Sequence, residues 1–115
     1  MYCHEAFEVR SSNLLPERAG MAAAVVAHVY GVTLLDMRST TRGAPRTALA
    51  RQVAMYLAHV VFSMGVSEIA AAFARNKTTA HHALRHVEDL RDDPSFDRTL
   101  RFLEGLLRDA AGRAT

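Results

Sequence analysis

Residues 67–90, SEIAAAFARNKTTAHHALRHVEDL, carry the reading that decides the fold. Ile69 and Phe73 stand four apart and share one face of a short helix, here placed at Ser67 to Ala74. The alanines between and after them allow a neighbouring helix to approach closely. Arg75-Asn76 then breaks the pattern, and Asn76 suits an N-cap. Beyond it, Ala80, Ala83, Leu84, Val87 and Leu90 recur at three and four residues, which predicts an amphipathic helix from Lys77 to Arg91. A short helix, a tight turn and a longer helix make a helix-turn-helix.

The opposite face of the second helix is as informative as the buried one. At 100° per residue it presents Thr78, His82, Arg85 and Asp89, with Thr79 and His86 beside them. Its first half is uncharged but rich in donors and acceptors, and Arg75 and Lys77 flank it. A helix-turn-helix puts such residues against base edges in the major groove of DNA. Threonine can bond a base and pack its methyl on thymine, asparagine suits adenine and lysine suits guanine. The plainer alternative is that Asn76 only caps the helix and the threonines only decorate a solvated turn. His82 and His86 stand one turn apart and could share a metal, but a third ligand would have to come from Asp89 or another chain. No metal or other cofactor is expected.

Outward from this unit the pattern remains helical. Twenty alanines and no strand-like alternation predict an all-α compact helical bundle. Pro16 suits a helix start, and Met21, Val25, Val26, Val29 and Tyr30 form an apolar stripe that stops at Gly31, predicting a first helix over 17–30. Thr33 offers a cap for a short turn over 34–37. A polar, cationic loop follows over 38–45 and contains Arg42. From Arg46 to Ser63 apolar residues cover most of the circumference, as expected of a central helix. Asp93 can cap a last helix from Pro94 that buries Phe96, Leu100, Leu103 and Leu107. His28 and His59, on apolar helices, are read as core or boundary residues. Residues 1–15 lack sustained periodicity and are expected to form a flexible arm, with one domain over 16–112.

Composition narrows the function classes. The 115 residues are half apolar and 23% charged, a globular balance. No uninterrupted apolar run is long enough to span a membrane, and Glu5 and Glu8 do not fit a secretory signal, so a cytoplasmic protein is expected. Cys3 is a lone cysteine, which excludes an internal disulfide and a cysteine-based zinc knuckle. Charge is unevenly placed: from Met37 to His86 seven cations face the single anion Glu68, a net +6, while the remaining residues carry seven cations and eleven anions, a net −4. A basic middle points to a polyanion. No carboxylate pair, Ser/His/Asp grouping or glycine-rich phosphate loop suggests catalysis, and an enzyme is not expected.

These segments together resemble a known family. Tyr30-Gly31-Val32-Thr33-Leu34-Leu35-Asp36-Met37, Ala50-Arg51-Gln52-Val53-Ala54-Met55-Tyr56-Leu57-Ala58, Ser67-Glu68-Ile69 and Thr78-Thr79 with His82-Ala83 and Glu88-Asp89-Leu90 are similar to the carboxy-terminal DNA-binding domain, domain IV, of the bacterial replication initiator DnaA. The resemblance spans about residues 17–108 and implies an all-α helix-turn-helix fold related to that of the Trp repressor. It implies that Arg42 enters a minor groove, where a narrow A·T-rich stretch attracts arginine. It places Asn76, Lys77, Thr78, Thr79 and His82 at bases, and Arg51, Gln52 and the segment around Val66 and Ser67 at phosphates, to which the charge pattern adds Arg46, Arg75 and Arg85. Asn76 and Lys77 stand where the family has Asp-His, so charge and donors change at the two leading base-reading positions.

No AAA+ module or Walker motif lies within the 115 residues, so a free-standing reader of double-stranded DNA in the bacterial nucleoid is expected, without a nucleotide switch. It would serve as a transcription regulator or a modulator of replication initiation. Two other readings remain open: a Trp-repressor-like homodimer with a small effector, and a protein-interaction module that uses the basic face.

Overall fold

The structure is a computed structural model that describes residues 17–39 and 44–114, with side chains to residue 112. The expected arm and Pro16 lie outside the described residues. Six helices follow in order among those described: α1 (residues 17–30), α2 (Leu34–Arg38), α3 (Pro45–Phe62), α4 (Val66–Ala72), α5 (Lys77–Leu90) and α6 (Pro94–Ala114). The all-α fold and each expected helix are present. α3 opens one residue early, because Pro45 takes the first helical position, where a missing N–H costs nothing. α4 runs 66–72 rather than 67–74, because Ala74 turns into the left-handed region at φ +54°.

Helix ends follow local chemistry. The Thr33 hydroxyl accepts from the Asp36 N–H at 3.0 Å and starts α2. Asn76 Oδ1 accepts from the Thr79 N–H at 2.8 Å and starts α5. Asp93 Oδ2 accepts from the Phe96 N–H at 2.9 Å and starts α6. Each bond satisfies one donor that the first helical turn leaves over, worth about 1 kcal/mol. Gly31, at φ +68°, ends α1 where a side chain would be strained.

α3 is the central element and packs against α2, α4, α5 and α6. Val53, Ala54, Leu57 and Ala58 are fully buried, and Ile69, Ala80, Ala83, Val87, Leu100, Leu103 and Leu107 close around them. α1 differs in detail from the sequence expectation. Its core side is Ala19, Ala22, Ala23, Val26 and Ala27, while Met21, Val25 and Tyr30 are half-buried and Val29 is 41% exposed. Alanines let α1 lie close to the bundle, so its larger side chains are left at the rim. His28 and His59 are exposed rather than core. His59 is tied through Nδ1, which donates to the Met64 carbonyl at 2.8 Å and steadies the turn after α3.

Candidate nucleic-acid interface

The amino-terminal end of α5 stands clear of the core. Ala80 and Ala83 pin the helix against α3 and α4, which leaves Asn76, Lys77, Thr78, Thr79 and His82 exposed together. His82 also stacks on His86, with ring centroids 5.9 Å apart and planes 6° off parallel, so its imidazole is braced against the helix surface. Asn76 is more constrained than the sequence suggested. Its Oδ1 is committed to the Thr79 N–H, so two-point pairing with adenine would have to break the cap that starts α5.

The candidate phosphate residues divide. Arg46, in the first turn of α3, and Ser67, in the first turn of α4, are exposed, while Gln52, two turns into α3, and Val66, the first residue of α4, are half-buried. Arg85 is exposed, and with His81 it opens onto a groove shared with Tyr56, His59, Val60, Glu88 and Asp89. It therefore sits among carboxylates, on a less positive stretch of α5 than Lys77. Arg42 lies outside the described residues.

Arg51 and Arg75 take up structural duties that the sequence did not announce. Arg51 is only 8% exposed; its Nε donates to the Met37 carbonyl at 2.8 Å and its Nη2 to the Asp36 carbonyl at 3.3 Å. Read from sequence as a phosphate ligand, it is here the tie between α3 and the end of α2. Arg75, half-buried in the turn, donates through Nη2 to the Ser39 carbonyl at 2.7 Å and through Nη1 to its neighbour Ala74 at 3.4 Å. Burial, and then the charge of Arg75, push the Arg51 guanidinium below its ordinary value. Both cations are bonded to neutral carbonyls, so their positive charge is not cancelled by these partners. Sequence alone held no sign of these ties, because the partners lie 14, 15 and 36 residues away.

The short α4, the turn at Ala74–Asn76 and the longer α5 form a helix-turn-helix with a cationic and polar leading edge. Residues 21–87 match the family described as the bacterial DnaA protein helix-turn-helix, and the chain belongs to that family. It is 43% identical over 87 residues to the chromosomal replication initiator protein DnaA of Aquifex aeolicus, which covers 75% of this chain and 21% of that protein. With the Bordetella pertussis DnaA it shares 40% identity over 85 residues, or 72% of this chain and 18% of the relative. The chain thus spans about a fifth of the length of these relatives. Among solved structures, a DNA replication initiation factor superposes with a TM-score of 0.80 at 35% identity, covering 88% of this chain and 31% of the other. A replication initiator DnaA bound to AMPPCP and single-stranded DNA gives 0.77 at 35%, covering 91% and 32%.

Proposed function

We propose that the chain binds double-stranded DNA in a sequence-selective manner, reading the major groove with the start of α5 and holding the backbone with the cations and polar groups around it. One observation carries the reading: Lys77, Thr78, Thr79 and His82 project together from the second helix of a DnaA-family helix-turn-helix, and no described carboxylate lies between Glu68 and that edge. Threonine and lysine at these positions contact base edges, while Arg46, Gln52, Val66 and Ser67 set the register on phosphates. Arg42 is the candidate for the adjoining minor groove. The protein acts by binding, without a catalytic step or a cofactor, as a transcription regulator or a modulator of replication initiation.

Selection of bound sites from a random duplex library tests this directly. A sharp motif is expected, and binding should weaken as salt rises, with a log–log slope of about −0.9 for each phosphate that a cation neutralises. Failure to enrich any motif, or equal binding of single-stranded and duplex forms of the selected site, overturns it.

A further inference from the structure

We propose that Arg75 is a positioning residue, holding Ser39, where the chain leaves α2, against the turn of the helix-turn-helix and so fixing that exit point relative to the leading edge of α5. The proposal rests on the DNA-reading function above. Its basis is the bond from Arg75 Nη2 to the Ser39 carbonyl at 2.7 Å, which joins two points 36 residues apart. Ser39 is the residue at which the chain leaves α2, and Arg75 lies one residue before the cap of α5. One side chain therefore spans both segments.

The surroundings show why such a tie is needed. α2 has five residues, far too few to hold a helix in water without outside support. Two guanidinium groups supply that support: Arg51 grips the Asp36 and Met37 carbonyls from α3, and Arg75 grips Ser39 from the turn. Three carbonyls in four residues are thereby bonded to cations from two other parts of the fold. Hydrogen bonds with an ionised donor are shorter and stronger than neutral ones, so each restricts the backbone more firmly than an amide would. Ala74, in the left-handed region, directly precedes Arg75, and a second bond, from Arg75 Nη1 to the Ala74 carbonyl at 3.4 Å, ties the guanidinium to that turn.

A residue that merely holds a phosphate and a residue that positions a segment predict different results. Arg75→Ala and Arg75→Lys are compared with the parent in two measurements. The first is amide hydrogen exchange over residues 37–39 of the free protein. It should speed up about tenfold or more in Arg75→Ala and by less in Arg75→Lys, which keeps the charge but loses the planar donor fork. The second compares affinity for the selected duplex with two altered forms, one changed at the bases facing α5 and one changed in the adjoining flank. The parent should lose about tenfold or more on either change. Arg75→Ala should keep the loss at the α5 bases, while its loss on the flank change falls below about threefold. Equal weakening on every duplex, with an unchanged flank ratio and a salt slope reduced by about one, would mean a plain phosphate contact and would overturn the proposal. Unchanged exchange over 37–39 also overturns it, whatever happens to binding. If the parent itself discriminates neither change, the DNA-reading function fails, and the positioning role falls with it even where exchange has responded.

Discussion

The Tyr56 hydroxyl donates to Glu88 Oε1 at 2.8 Å and accepts from Arg91 Nη1 at 3.2 Å, joining the middle of α3 to the far end of α5. Burial, followed by the bond to Glu88, raises the Tyr56 pKa above its ordinary value, so the phenol keeps the proton it donates. The Arg91 guanidinium also lies over the Tyr56 ring, 5.8 Å from its centroid. This junction fixes the carboxy-terminal end of α5, whereas alanine packing seats its amino-terminal half. Tyr56→Phe should lower stability by about 0.5–1.5 kcal/mol in urea unfolding. Binding of the selected duplex should change little, because the leading edge of α5 lies at the other end of the helix.

Arg91 is the hub between α5 and α6. It bonds Asp97 and Glu104 as well as Tyr56, the Glu104 contact being 2.7 Å. Burial alone would lower the Arg91 pKa, but the bonds to Glu104, Asp97 and Tyr56 outweigh it and hold the group above its ordinary value. The bond from Arg91, and then the charge of Arg101, hold the Asp97 carboxyl below its ordinary value. A carboxylate with a depressed folded pKa stabilises above its unfolded pKa, and that contribution disappears as pH falls through the folded value. Acid titration of stability should therefore show a loss below about pH 4 that is shallower in Asp97→Asn. An equal fall in thermal stability between pH 6 and pH 3 in the parent and in Asp97→Asn would refute the linkage.

Ala74 adopts φ +54° without being glycine. The left-handed region crowds a Cβ, at a cost of roughly 1–2 kcal/mol. Ala74→Gly relieves that crowding but gives part of the gain back through unfolded-state entropy. A net stabilisation of about 0.5–1 kcal/mol is expected, read as a higher midpoint in denaturant.

Leu100 is fully buried where α6 meets the bundle. Leu100→Ala should cost about 2–5 kcal/mol by deleting buried methyl groups and leaving a cavity. Differential scanning calorimetry measures it. A cost below 1 kcal/mol would mean that α6 is not an integral part of the core.

Lys77→Ala and Thr79→Ala should each weaken binding to the best duplex by roughly 1–3 kcal/mol and relax its sequence preference. Asn76→Ala should instead appear first in stability, at about 1 kcal/mol, because it removes the α5 cap. Fluorescence anisotropy on matched and mismatched duplexes, beside unfolding curves for the same proteins, separates the two effects.

Much of this molecule was written in local pattern. The spacing of Ile69 and Phe73, then of Ala80, Ala83 and Val87, was enough to place α4 and α5, to name the buried face and to leave Thr78, Thr79 and His82 outward. The caps at Thr33, Asn76 and Asp93 were legible for the same reason: each bonds an N–H three residues on. The α1 stripe was misjudged because hydropathy ranks valine above alanine, whereas the room left between helices decides which of them fits.

The duties of the arginines belonged to the tertiary structure. In the sequence, Arg51 and Arg75 are two cations in a basic stretch, equivalent in charge to Arg46. Folding brings the Asp36, Met37 and Ser39 carbonyls within reach of the first two and leaves Arg46 exposed. Helical periodicity acts over one or two turns and is therefore printed in the chain. Which carbonyl a long flexible side chain finds 14 or 36 residues away depends on how the helices stack, and only the assembled bundle determines that.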